Sequence, residues 1–241
     1  MSEKEIERLA YLDKLSKSSE LQYIEYQLCK NDPYYWLTHW AKTTDSHYLE
    51  WEDPVKTFPE KEYIRIFVDE WRNNTILAIP KSRQMMISWL CVAIYLWDTQ
   101  FHKARFTCFQ SKREDDADEL VKRLKHIWDN EPAFLKRYYN EDGTYIELKA
   151  NPTSRGNHLY CKFELPAIGS RVLGIPQWGN IVRMQTLSWM LSDEAAFQEE
   201  MDDAYTALKP TLSGWGKLTM VSTPESGTFF EAAVFDELVM E

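Results

Sequence analysis

Apolar residues recur at helical spacing through the first thirty positions: Leu9, Leu12 and Leu15, then Leu21, Ile24 and Leu28. The spacing predicts a helix over 2–30. Asp32-Pro33 interrupts it, and a second helix is predicted over Tyr34–Lys42. A third follows over Tyr63–Trp71. The period then changes. Thr75–Ile79 is short, continuous and apolar, is stopped by Pro80, and reads as a buried strand. After polar Lys81–Gln84, the apolar run Met85–Trp97 is too long for a strand and reads as a buried helix. Arg105–Phe109 is a second strand. Ser111 is placed to cap a polar helix over Lys112–Asn130, with Leu120, Leu124 and Ile127 on one face.

Residues 143–185 change character. Thr144–Leu148, Leu159–Phe163 and Asn180–Met184 are short β-forming segments separated by Gly, Pro and Asn, and read as a β-rich insert. Leu187–Leu191 is another buried strand, ending in Ser192-Asp193-Glu194. A helix over Asp202–Leu208 and a strand over Lys217–Val221 complete the pattern. Strands alternating with helices predict an α/β fold: a mainly parallel sheet with helices on both faces, preceded by a small N-terminal helical appendage. Ligands of such sheets sit beyond the carboxyl ends of the strands. The polar tails at 81–88, 192–194 and 222–224 are therefore expected to meet in one crevice.

Composition narrows the classes. The chain has 241 residues and a net charge of −10, from 28 Lys+Arg against 38 Asp+Glu. That balance argues against coating nucleic acid by bulk charge and leaves room for a local basic strip. No apolar run approaches the ~20 residues that span a bilayer, and the charged N-terminus has no signal-peptide core. Cys29, Cys91, Cys108 and Cys161 are far apart and form no C-x-x-C pair. A disulfide framework or zinc site is not expected, and a reducing compartment is.

The three tails carry the chemistry. Lys81, Ser82, Arg83, Gln84, Met85, Met86, Ile87 and Ser88 lie between a strand and a helix, where backbone N–H groups and the positive helix end attract phosphate. Lys81 supplies a point charge, and Ser88 a hydroxyl for magnesium. The loop departs from G-x-x-x-x-G-K-[ST], because Met86-Ile87 stand where Gly-Lys precede the hydroxyl. Asp193 is placed to hold hydrated Mg2+, and Glu194 to orient and deprotonate a water attacking ATP. Ser222, Thr223 and Pro224 end the last strand, with two hydroxyls toward the terminal phosphate or the water.

Taken together, these motifs resemble the N-terminal packaging ATPase domain of the large terminase subunit of tailed double-stranded DNA bacteriophages. Asp32-Pro-Tyr-Tyr-Trp-Leu37, Lys81-Ser-Arg-Gln84, Gly174-Ile-Pro-Gln177, Gly179-Asn-Ile-Val-Arg183, Asp193-Glu-Ala-Ala-Phe197 and Val221-Ser-Thr-Pro224 carry the resemblance. It covers about residue 30 onward. The resemblance implies a P-loop NTPase of the additional-strand, catalytic-glutamate type. Residues 1–57 would then form the helical appendage and 58–241 the ATPase core, with the family's nuclease domain absent from this chain and no nuclease activity expected. The acidic run Glu114–Glu119 reads as a helix start, not a metal site.

The resemblance also implies roles. Asp193 matches the metal-holding acid, Glu194 the catalytic glutamate, Ser88 the magnesium hydroxyl, and Ser222-Thr223-Pro224 the motif that couples hydrolysis to DNA movement. Arg83 matches a loop arginine at the terminal phosphate. Lys81 fits a deviant loop whose working lysine comes first. Arg155, Arg171 and Arg183 are alternative candidates for an arginine acting on a neighbouring subunit. The segment Phe58–Tyr63 is the candidate adenine pocket. The implied cofactors are ATP and Mg2+. The implied partners are double-stranded DNA, the portal protein, the small terminase subunit and further copies in a homo-oligomeric ring, with a monomer in isolation also compatible. No membrane is implied, and the location is the host bacterial cytoplasm, transiently on the procapsid portal. Two alternatives stay open: a nucleotide-binding assembly module with weak or lost catalysis, and a DNA translocase or helicase ATPase outside packaging.

Overall fold

The computed structural model describes residues 3–44, 53–82, 86–150, 160–177, 187–214 and 216–235. The apolar N-terminal stretch is two helices instead of the single one expected: α1 (Glu3–Lys17) and α2 (Ser19–Asn31). Ser18 makes the break. Its backbone is extended and its Oγ accepts from the Leu21 N–H at 3.2 Å, satisfying a donor that a helix start leaves open. Asp32 repeats the device for α3 (Pro33–His39), accepting from the N–H groups of Tyr34 (2.9 Å) and Tyr35 (3.2 Å). The helix expected to reach Lys42 stops at His39, because Lys42 opens β1 (Lys42–Thr44), which pairs antiparallel with β2 (Val55–Thr57).

The three helices close around the fully buried carboxyl group of Glu25. It accepts from the Tyr11 hydroxyl of α1, the Tyr35 hydroxyl of α3 at 2.7 Å and Trp40 Nε1 at 2.7 Å. Three donors offset the cost of taking that group out of water.

The alternating elements follow: α4 (Glu62–Asn73), β3 (Ile76–Pro80), α5 (Ile87–Phe101), β4 (Phe106–Ser111) and α6 (Glu114–Asn130). Thirteen of the fifteen residues of α5 are buried, as the apolar run from Met85 requires. Ser111 does not cap α6. It is the buried last residue of β4, paired with Pro176, and α6 begins after Arg113 with Glu114, Asp115 and Asp116 against its positive end.

The stretch read as a β-rich insert divides. β5 (Arg137–Tyr139) and β6 (Tyr145–Glu147) form a separate hairpin. β7 (Lys162–Leu165) and β8 (Ser170–Pro176) are part of the main sheet. Asn180–Met184 lies outside the described residues. Then come β9 (Trp189–Asp193), α7 (Met201–Ser213), β10 (Lys217–Ser222) and α8 (Phe229–Phe235).

The six-stranded sheet has the order β3-β10-β9-β4-β8-β7, parallel throughout except for the antiparallel edge strand β7. Period-two alternation sends side chains to two cores. Phe109, Leu191 and Val221 face α5, α6 and the N-terminal helices. Cys108, Met190, Leu218 and Met220 face Met201 and Tyr205 of α7 and Phe230 of α8. The Tyr95 hydroxyl binds the Met190 carbonyl (3.0 Å) and Thr219 Oγ1 (2.8 Å), pinning α5 to β9 and β10. Gly174 marks the closest approach of β8 to α6: a Cβ there would stand 3.1 Å from the Ala117 carbonyl oxygen. No described helix is long and apolar enough to cross a membrane.

Candidate active site

Three neighbouring strands, β3, β10 and β9, end side by side, because Ser222 is in register with Pro80 and Val221 with Asp193. Lys81 continues this registry past the end of β3, its N–H donating to the Ser222 carbonyl at 2.9 Å. The start of α5 brings Ser88 to the same point. Lys81 Nζ donates to Ser88 Oγ at 2.8 Å and to Asp193 Oδ1 at 3.2 Å, and lies 3.4 Å from Glu194 Oε1. Ser88 Oγ donates to the same Asp193 oxygen at 2.9 Å. One ammonium thus bridges a hydroxyl and two carboxylates. The Lys81 and Asp193 side chains are only 12% and 11% exposed, while Glu194 at 42% opens onto solvent.

Two residues here hold left-handed backbone without being glycine. Met86, the residue before α5, has φ 53°, and Glu194 has φ 56°. This conformation costs a side-chain-bearing residue ~1–2 kcal/mol. Met86 occupies the place where the usual phosphate loop has Gly, and it adopts the backbone sign that glycine favours. The turn at Glu194 is fixed from behind by a buried amide chain. Gln198 Nε2 donates to the Asp193 carbonyl at 2.8 Å and to Ser192 Oγ at 3.0 Å, and Gln110 Nε2 donates to Gln198 Oε1 at 2.5 Å. Beneath the site, burial pushes the Cys91 thiol well up, and nearby Asp193 adds to the shift, so this cysteine is no nucleophile.

The cleft has a volume of about 430 Å3 and is lined by Lys81, Ser82, Met86, Ile87, Ser88, Trp89, Arg123, Glu194, Phe197 and Thr223. A second hollow of about 370 Å3, beside Ser111, Asp116 and Asp193, shares Arg123, Glu194 and Phe197 with it. The structure therefore brings together Lys81, Ser82, Met86, Ile87, Ser88, Asp193, Glu194 and Thr223 of the sequence candidates. Ser222 is fully buried just behind, and Pro224 is exposed beyond it. Arg83, Gln84, Met85, Arg155 and Arg183 lie outside the described residues.

Arg171 lies elsewhere. It sits at the start of β8, opposite Phe106, at the other end of the sheet, with its guanidinium 4.0 Å from the Phe106 ring. The candidate adenine segment Phe58–Tyr63 is not among the residues lining the cleft, and Phe58 is 2% exposed in the core. The aromatic walls of the cleft are Trp89 and Phe197.

Sequence reasoning missed Gln110, Gln198, Trp89 and Arg123. Gln110 carried a usable signal, since it too ends an apolar strand. Arg123 carried none, being one cation in the middle of a polar helix.

Chemically, the arrangement offers a lysine, a serine hydroxyl and two carboxylates on a rigid sheet edge. Ser88 and Asp193 supply the hard oxygen donors that suit Mg2+, an ion held by one or two carboxylates together with water and phosphate. No cluster of three or more His, Cys, Asp or Glu suited to a metal occurs among the described residues.

No protein-family model and no curated protein sequence matches the chain. Its similarities are to solved structures. The large terminase of bacteriophage HK97 aligns with a TM-score of 0.61 at 8% identity, over 87% of this chain and 41% of that one. The large terminase of a thermophilic bacteriophage aligns at 0.53 and 13% identity, over 75% and 43%. The large terminase ATPase domain of Thermus phage P74-26 aligns at 0.51 and 16% identity, over 72% and 68%. The chain thus corresponds to less than half the length of the first two of these proteins. Its central, mostly parallel sheet and flanking helices share the fold of these phage large-terminase structures.

Proposed function

We propose that this chain is the ATPase motor domain of a DNA-packaging large terminase, binding ATP and Mg2+ in the cleft and using hydrolysis to drive double-stranded DNA into a procapsid. The observation that carries the reading is the meeting of Lys81, Ser88, Asp193 and Glu194 within 3.4 Å at the strand ends. Bound by Ser88 and Asp193, Mg2+ would neutralise charge on the phosphate tail. Lys81 would exchange its carboxylate partners for phosphate oxygens, with Ser82 through Ile87 the candidate phosphate loop and Arg83 its candidate terminal-phosphate arginine. Glu194, open to solvent beside the lysine, holds a water and takes its proton as it attacks.

Thr223 reads the terminal phosphate from the cleft wall. Ser222 ties Lys81 to β10 through its carbonyl, so movement of the loop reaches β10 and Pro224 beyond it. In this reading an arginine acts on a neighbouring subunit in a ring, with Arg155, Arg171 and Arg183 the alternative candidates from the sequence. The portal and small terminase subunit are the protein partners, and the host cytoplasm is the setting.

A second reading, a nucleotide-binding assembly module without catalysis, is favoured by one feature: Met86 replaces the loop glycine. Phosphate release by the wild type and by Glu194→Gln, with ATP affinity measured alongside, separates the two. A motor predicts a loss of about 10²–10⁴ in turnover with ATP binding retained. Turnover that survives the substitution refutes the catalytic role. A wild type that binds ATP and never hydrolyses it, alone or assembled on procapsids with DNA, is the module.

A further inference from the structure

We infer that Arg123 is a substrate-contacting residue of the same cleft, a guanidinium delivered from α6 of the same chain to the terminal phosphate of the nucleotide. The inference rests on the ATPase reading above and adds a residue to it.

Arg123 lines both the cleft holding Lys81 and Ser88 and the adjoining hollow beside Asp193, with Glu194 and Phe197 at the same seam. Its guanidinium lies 5.6 Å from the Trp89 ring centre. Trp89 directly follows Ser88 and is itself braced edge-on by His126, with ring centres 5.7 Å apart. His126 Nε2 is in turn hydrogen-bonded to Thr44 Oγ1 at 3.0 Å. Burial lowers the His126 pKa, so this brace is uncharged at neutral pH.

The carboxylates that could neutralise Arg123 on its own helix are engaged elsewhere. Asp116 accepts two bonds from Arg113 at 2.9 Å, and Glu119 accepts from Lys122 at 2.6 Å. Among the described residues Arg123 makes no ion pair. A half-buried arginine oriented by stacking, with its nearby acids occupied, is a fork of donors open to an incoming anion.

Glu194 shares the seam, and this decides which anion. A water held by Glu194 attacks the terminal phosphorus, the bond from that phosphorus to the bridging oxygen breaks, and ADP leaves with the electron pair. The water's proton passes to Glu194. Negative charge spreads over the transferring oxygens meanwhile, and a cation beside Glu194 stabilises it while staying protonated throughout.

The test is calorimetric titration of wild type, Arg123→Ala and Arg123→Lys with Mg·ADP and with a non-hydrolysable triphosphate, together with kcat and KM for ATP. Losing a charge-assisted bond predicts a fall of about 10- to 100-fold in triphosphate affinity for R123A. ADP affinity is expected to hold within about twofold, R123K to recover part of the difference, and kcat to fall with it. Lys125→Ala, whose side chain pairs with Asp129 on the same helix, is the unaffected control. Thermal melts establish that each variant is folded, and R123K carries the comparison if R123A is not. An unchanged ratio of triphosphate to diphosphate affinity in folded Arg123 variants overturns this assignment and leaves the ATPase reading intact. A wild type that binds neither nucleotide overturns both.

Discussion

Replacing Glu131 by glutamine is expected to stabilise the fold above neutral pH and to change it little in acid. Glu131 follows α6 and is buried. Its Oε1 accepts from Trp36 Nε1 at 2.7 Å and from Gln100 Nε2 at 3.1 Å, but among the described residues Oε2 has no partner, and neither has Gln100 Oε1. Desolvation dominates, and the two hydrogen bonds and nearby Lys136 only partly oppose it, so the pKa rises from 4.5 to about 7.

The sign follows from proton counting. Between pH 4.5 and 7 the folded state holds a proton that the unfolded state has lost, so stability falls as pH rises. The stabilising contribution is fully present below pH 4.5 and is gone above about 7. At 1.36 kcal/mol per unit, the difference is about 3 kcal/mol. E131Q keeps an acceptor for Trp36 and cannot ionise, so it escapes that loss. Urea unfolding of both proteins from pH 4.5 to 8 reads the effect directly. The stability difference between variant and wild type should grow by about 1.4 kcal/mol per pH unit and level off near pH 7. A difference that stays flat over that range refutes the claim that Glu131 is protonated in the fold.

Two further outcomes test the site and the packing. Lys81→Ala is expected to weaken ATP binding by about 10- to 100-fold, the value of a charge-assisted bond, as measured by titration with Mg·ATP; undiminished affinity would remove Lys81 from the phosphate site. Gly174→Ala places a methyl 3.1 Å from the backbone oxygen of Ala117, which cannot swing aside as a side chain would, so a loss of ~1–3 kcal/mol is expected in thermal or urea melts.

The strand tails were legible because apolar runs end abruptly in polar residues, and parallel sheets gather such ends at one edge. Lys81, Ser88, Asp193 and Glu194 were found that way, and they lie within hydrogen-bonding or ion-pairing distance of one another. The same argument would have found Gln110 had it been applied to β4. What failed were inferences from local composition. Gly174 and Pro176 look like turn residues, yet both lie in β8, glycine because α6 presses against that strand and proline because it is the last residue. The break at Ser18 did leave a trace, since Leu15 to Leu21 is six residues and misses both helical spacings. Arg123 is different in kind. Its importance comes from the packing of α6 beside α5, which turns it toward Trp89, and no pattern within α6 encodes that neighbour.

That pair of helices also separates stability from chemistry. Each leaves the carboxyl end of a strand and runs back along the sheet, so Ser88 lies at the cleft end of α5 and Arg123 midway along α6, while Gln100 and Glu131 meet at the far end. Fifteen residues of α5 span ~22 Å at 1.5 Å each. The N-terminal helices grip that far end, through Trp36 on Glu131 and through Trp97 Nε1 on the Cys29 carbonyl at 2.7 Å. Their contribution is therefore to anchor the rear of the two helices that line the candidate site. If the helices are rigid rods pinned by Tyr95 to β9 and β10, protonation at Glu131 changes the depth of the folded state and not the cleft. E131Q should then raise the melting temperature at pH 8 with nucleotide affinity unchanged. A matching shift in affinity would mean that the rods transmit, and that the N-terminal helices act on the cleft as well as on the fold.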